Sequence, residues 1–266
     1  MEKILDSFKR VGRKATLSYK GLFGVMNWKQ YLLVNLGSPI SQMLCFTLIA
    51  YYVYGSQNVS DWLIGNAMVM TYFNAVFGVG VQLTSEKNSG TLKLLVASPS
   101  SRPGIFLPRV ILHIFDGILS VFVGLLVGYL VLGFRMPLNV WPYFILVLFV
   151  ASFSAMAFGL LVSCFGLLTR DLNLILNIAS MGMLGLTGAN FPIDRLPKAM
   201  QFVSQIMPLT RSIEVLRGLQ HGEAIQKYTH LIMGEIGVGV LLLSAGLILF
   251  GLMEKAAIKK GILELF

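Results

Sequence analysis

Charge is scarce in this chain of 266 residues: 12% are Asp, Glu, Lys or Arg, about half the share usual in soluble domains. Hydrophobic residues make up 56% of it, and mean hydropathy is +0.76. That much apolar surface has no soluble interior large enough to enter, which excludes an ordinary cytosolic enzyme and a disordered chain. Only two cysteines occur, Cys45 and Cys164, each inside an apolar run without metal-ligand neighbours. A disulfide scaffold is thereby excluded, and both read as small buried hydrophobes. The sequence has no G-x-x-x-x-G-K-[ST] phosphate loop, no G-x-S-x-G and no H-E-x-x-H. No His/Cys/Asp/Glu cluster has metal-site spacing, so no catalytic residue, metal or cofactor is assigned to this chain. What remains is an all-α integral membrane protein.

Apolar runs long enough to cross a bilayer, about 20 residues, occupy 31–54, 62–83, 110–134, 141–168 and 231–253. A sixth, 172–187, is short. The runs are continuous rather than alternating, which excludes a β-barrel. The basic residues orient them. Fifteen lie in the N-terminal 30 residues, the 84–109 connection, Arg170 and the tail, against six on the other side. By the positive-inside rule both termini are cytoplasmic in a multi-pass protein of the cell membrane. The net charge of +9 thus reflects topology and anionic lipid, and no nucleic acid is expected. Residues 1–29 carry Ile4, Leu5, Phe8, Val11, Ala15 and Tyr19 on one helical arc opposite Lys9, Arg10, Arg13, Lys14 and Lys20. This predicts a helix lying flat at the cytoplasmic interface.

The cytoplasmic connection contains Glu86-Lys87, then Gly90-Thr91-Leu92-Lys93-Leu94-Leu95-Val96, then Ser98-Pro99 and Arg102. Thr91 can cap a short helix that Pro99 ends. Leu92, Leu95 and Val96 form an apolar strip that an exposed loop would not need. On the other side stand Phe191-Pro192-Ile193-Asp194-Arg195-Leu196-Pro197, Met207-Pro208 and Ile213-Glu214-Val215-Leu216-Arg217. Leu196, Met200, Val203 and Met207 recur at helical spacing, predicting an amphipathic segment of about three turns.

These two landmarks, in register between the spans, resemble the hallmark segments of ABC-2 type transporter permeases, with greatest likeness to drug and antibiotic exporters. The resemblance implies a single transmembrane domain over 1–266 with six spans, pairing with a second permease, identical or different. It implies a coupling helix at Glu86, Lys87, Gly90, Thr91, Leu92, Leu95, Val96, Pro99 and Arg102 that seats in a separate nucleotide-binding ATPase, where ATP and Mg would bind. It also implies two short re-entrant helices within 188–230 forming an external gate, with Phe191, Pro192, Asp194, Leu196, Pro197, Pro208 and Glu214 as its landmarks. The cargo would be a small amphipathic drug, antibiotic, peptide or lipid-like molecule, or a polysaccharide or teichoic acid, in a prokaryotic cell.

An ion-coupled carrier would instead need titratable groups at depth. Asp116 shares a helical face with Arg109 and His113 near the cytoplasmic end, and Glu235 sits one turn into the last span. Local pairing is expected for both: Asp116 with His113 or Arg109, and Glu235 with a loop cation. Gly124 and Gly128 on the third span, and Gly234, Gly237, Gly239 and Gly246 on the sixth, are expected to let helices approach closely.

Overall fold

The computed structural model describes residues 32–55, 59–88, 103–165 and 171–259. Among these the chain is helical throughout, without a strand. Eight α-helices follow in order: α1 Ser38–Tyr54, α2 Val59–Asn88, α3 Pro103–Leu132, α4 Trp141–Cys164, α5 Leu172–Leu186, α6 Lys198–Ile206, α7 Thr210–Gln220 and α8 Thr229–Lys259. The coupling residues Gly90, Thr91, Leu92, Leu95, Val96, Pro99 and Arg102 lie outside the described residues, as does the 1–29 segment. Glu86 and Lys87 belong to the last turn of α2.

Among the described residues, four segments are long and apolar enough to cross a membrane: Val59–Gly80, His113–Leu132, Leu138–Cys164 and Ile225–Leu252. At 17 residues, α1 is about 26 Å long, and a π-helical stretch over Leu32–Gly37 runs into it. Pro39 stands at the junction. Its missing N–H leaves a main-chain carbonyl one turn back without a partner, a local reason for the change of helical register. At 15 residues, α5 is about 22 Å long and shorter than a hydrocarbon core. Helical backbone runs past two of the predicted spans: the third helix begins at Pro103 and the second continues to Asn88, with Lys87 and Arg109 both inside helix. The fourth α-helix is described to Cys164.

The bundle is organised around α2, against which α1, α3, α4, α5 and α7 all pack, while α4 and α8 form the most extensive single pairing. α2 is also the most polar of the long spans, carrying Asn66, Thr71, Tyr72 and Asn74. A polar side chain facing lipid is costly, so a helix of this composition belongs inside the bundle. Its amides are satisfied at short range. Asn66 Nδ2 donates to Trp62 O at 3.0 Å, and Asn74 Nδ2 donates to Met70 O at 3.1 Å and Ser120 Oγ at 2.9 Å. Ser120 Oγ donates in turn to Asp116 O at 2.8 Å. Ser152 and Ser180 likewise return their hydroxyls to carbonyls one turn back, so much of this polarity is spent within the helix that creates it.

Small residues set the helix spacing, as expected, but not along continuous stripes. Gly124 faces Met70 and Met43, and Gly128 lies against Leu63, so this pair packs within the chain. Gly239 meets Phe153 and Gly246 meets Leu160 across the α4–α8 contact, whereas Gly237 has open space beside it. Cys164 is buried, its thiol 3.4 Å from Gly246 O, but Cys45 is exposed. That overturns the reading of both cysteines as buried: α1 turns Cys45 outward and packs instead through Met43, Thr47 and Ala50.

Among the described residues, helix backbone comes nearest to helix backbone at Gly159, where a Cβ would stand 3.0 Å from Val76 Cα and 3.1 Å from Ala75 O. Backbone atoms cannot yield by rotamer change. Gly159→Ala is therefore expected to push α4 off α2 and cost about 1–3 kcal/mol, read as a lowered melting midpoint of the detergent-solubilised protein. Gly237→Ala, with nothing within 4 Å, should leave the midpoint unchanged.

Candidate functional site at the α1–α2 and α5–α8 end

One end of the bundle is closed by a structured segment between α5 and α8. α5 stops because Thr187 Oγ1 bonds back to Met183 O at 2.7 Å and Gly188 turns left-handed at φ 78°. A 3-10 turn over Ile193–Arg195 follows, then α6 and α7. α6 spans 9 residues, shorter than the three turns expected. Its Met200, Val203 and neighbouring Phe202 and Ile206 are exposed, while Ser204 is buried. Periodicity predicted the helix correctly. It did not tell which face is covered, and here the apolar stripe points away from the chain's own core.

The segment is tied to the bundle by Arg217 of α7. Its Nε donates to Asp61 O at 3.0 Å, Nη1 to Gly188 O at 2.9 Å and Nη2 to Ala189 O at 3.1 Å. The guanidinium also lies over the Trp62 ring, 5.3 Å from its centroid. Trp62 stacks on Tyr54 with centroids 5.0 Å apart and planes 19° from parallel. Arg195 lies over the Tyr54 ring, 5.9 Å from its centroid. Two cations thus contact two stacked rings, joining the end of α1, the start of α2, the 3-10 turn and α7. Burial pushes the Arg217 pKa below its ordinary value, and the charge of Asp61 pulls it back up. Asp61 itself receives His221 Nε2 at 2.9 and 3.0 Å.

A second tie lies on the α4–α8 side. Glu235 is fully buried. Its Oε1 accepts the Ser154 hydroxyl at 2.5 Å and the Leu209 main-chain N–H at 2.8 Å. The expected loop cation makes no ion pair with it; the hydrogen bonds come from a hydroxyl and a main-chain amide. Leu209 is the one non-glycine residue with positive φ, 71°, among the described residues, a conformation costing about 1–2 kcal/mol for a side-chain-bearing residue. Below α7, Glu223 accepts from Lys227 Nζ at 2.6 Å and from the Tyr228 hydroxyl. These donors hold its carboxyl below the usual carboxylate range.

The predicted gate residues share this end but do not converge. Phe191, Asp194, Pro197 and Glu214 are exposed, Pro192 and Leu196 are half-buried, and Pro208 is buried. At the other end, His113 Nδ1 lies 3.4 Å from Asp116 Oδ2, with the imidazole pressed against Gly78 of α2. The Arg109 side chain lies outside the described residues. Sequence reasoning missed the roles of Tyr54, Asp61, Trp62, Ser154, Leu209 and Arg217. Arg217 carried a signal, a lone cation among Val215, Leu216, Gly218 and Leu219, all of which are buried. Nothing in the sequence marks Leu209 as left-handed. No group of three or more possible metal ligands occurs among the described residues.

Removing the Arg217 fork leaves two interior carbonyls and one indole face without their partner. Arg217→Gln is expected to cost about 2–4 kcal/mol. Arg217→Lys should recover less than half of it, since an ammonium keeps the charge but cannot reach three carbonyls in one plane. Melting midpoints, with limited proteolysis of the 188–222 region in intact membranes, measure both.

No curated protein sequence matches the chain. The sequence profile of the ABC-2 type transporter family matches residues 23–221, about three-quarters of the chain. That stretch takes in α1 to α7, the Arg217 fork, the stacked rings and the left-handed joints at both ends of the 189–208 segment. The chain is therefore a multi-pass membrane protein that belongs to the ABC-2 type transporter family, the membrane domain of an ABC transporter and not itself an ATPase.

Proposed function

We propose that this chain is the permease half-unit of an ABC exporter, driven by a separate ATPase and moving an amphipathic drug, antibiotic, peptide or lipid-like cargo. The observation that carries the reading is the pairing of family membership with a chain that has no phosphate-binding loop of its own. Energy must then arrive through a partner holding ATP and Mg, as ABC-2 permeases generally work. α1 and α5 complete six spans with the four longer helices. Both termini and the 84–109 connection face the cytoplasm, in keeping with the basic residues that flank them.

In this reading two permeases pair with a path between them. The 84–109 connection docks in the ATPase, and closure of the ATPase dimer on nucleotide moves α2 and α3, whose ends enter that connection. α2 is in contact with five other helices, so a displacement at its cytoplasmic end is felt across the bundle. The 188–230 segment closes the path outside, with α6 and α7 as its re-entrant helices. This is a two-state element biased by nucleotide on one side and cargo on the other.

The test is coexpression with the candidate ATPase and measurement of ATP-dependent transport in vesicles. Glu86→Ala and Gly90→Pro are expected to insert and fold normally, yet lose transport and cargo-stimulated ATP hydrolysis by about tenfold or more. Full transport at wild-type expression rejects the coupling role. Transport abolished by collapsing the proton gradient, with ATP present, favours an ion-coupled carrier instead.

A further inference from the structure

The segment between α5 and α7 is framed by two left-handed joints, Gly188 at φ 78° and Leu209 at φ 71°. Each joint is held by a charged side chain of another element. Gly188 O receives Arg217 Nη1 at 2.9 Å, and Leu209 N–H is taken by Glu235 Oε1 at 2.8 Å. Between them the segment braces itself. Gln201 Nε2 donates to Leu196 O at 2.8 Å and Asp194 O at 3.2 Å, tying α6 to the 3-10 turn. Pro192, Pro197 and Pro208 stiffen its corners. Among the described residues, α6 touches only the short α5, α7 and the 3-10 turn to any extent, whereas α7 is seated on α2, α4 and α8.

We propose that residues 189–208 form a hinged lid that turns about Gly188 and Leu209, and that Glu235 is the clasp through which the α4–α8 pair holds it shut. The inference deepens the exporter reading, on which the external placement of the lid rests. Gly188 occupies the left-handed region freely, so it serves as a passive joint. Leu209 does not: rotating it to an unstrained conformation relieves the backbone but withdraws its N–H from Glu235. Strain and hydrogen bond therefore oppose each other at one residue, which makes the joint two-state rather than continuously deformable. The same Oε1 also takes the Ser154 hydroxyl of α4. A shift of α4 against α8 disturbs this shared contact, and movement within the spans is thereby converted into release of the lid. Arg217, on the anchored helix, keeps the opposite joint in place.

Cysteine accessibility tests this directly in a Cys45→Ser, Cys164→Ala background with a membrane-impermeant maleimide. Ser204→Cys reports the lid, since Ser204 is fully buried beneath it. Ser212→Cys reports the anchored α7, being 2% exposed. Gln226→Cys, exposed beyond α7, reports sidedness. Glu235→Ala is expected to raise the Ser204→Cys labelling rate about tenfold and leave Ser212→Cys unchanged. Ser154→Ala, a milder change should Glu235→Ala fail to fold, gives a smaller rise in the same direction. Adding Leu209→Gly should partly reverse the rise, because glycine removes the strain of the closed joint that otherwise favours opening. An unchanged Ser204→Cys rate, an equal rise at Ser212→Cys, or no reversal by Leu209→Gly overturns the lid. Labelling of Gln226→Cys only after permeabilisation overturns the external placement instead. The Ser204-to-Ser212 comparison, made in permeabilised membranes, still decides the hinge.

Discussion

A guanidinium shared among three main-chain carbonyls holds the described end of this molecule together. Arg217 reaches Asp61, Gly188 and Ala189 from α7, three positions that have no other common neighbour in sequence. Its planar fork matches carbonyls that diverge from one another, and its flat face rests on Trp62, a combination an ammonium cannot reproduce. Gly65 belongs to the same constraint: a Cβ there would come within 2.8 Å of Arg217 Nη2 and 3.0 Å of Ala189 O. The side chain is large and charged, and the room for it comes from a glycine one turn along α2 from Asp61.

α2 supplies that room because it is the helix against which most others are packed. Its polarity and its centrality have one cause. Asn66, Thr71, Tyr72 and Asn74 are costly against lipid and tolerable against protein. The neighbouring spans, richer in Leu, Val and Phe, carry exposed Leu126, Leu130, Ile145, Phe149, Val240, Leu241 and Ile248 on their outer faces. The gradient of polarity from α2 outward is that of a bundle whose solvent is hydrocarbon.

The sequence states the helices plainly, since uninterrupted apolar runs of this length have few alternatives, and the short 172–187 run maps closely onto α5 Leu172–Leu186. It states the end segment coarsely: two short helices, prolines at their corners, and a cation in an apolar context. It is silent on what ties them. Trp62 reads as an interfacial aromatic and Glu235 as a carboxylate needing a cation. Their true partners come from residues up to 155 and 81 positions away, with no local pattern to announce them. The direction of the α6 stripe was equally hidden, because a period of 3.6 fixes a face without saying what lies opposite. Where the reading erred, at Cys45, the error lay in rotation rather than in the existence of an element.

The short fifth helix explains why Arg217 is turned inward at this end. At 15 residues α5 is shorter than a hydrocarbon core of about 30 Å, and the chain leaves helical geometry at Gly188 while residues 188–190 are still buried among their neighbours. Each buried carbonyl freed there needs a donor. The donors can be assigned one by one. Met183 O takes the Thr187 N–H and hydroxyl, and Leu184 O takes Asn190 Nδ2 at 3.3 Å. Gly188 O and Ala189 O take the two arms of Arg217. A longer α5 would satisfy these carbonyls within its own backbone and leave two arms of Arg217 without the acceptors they now have, only Asp61 O and the Trp62 face remaining. The foreshortened helix and the half-buried guanidinium are two halves of one solution.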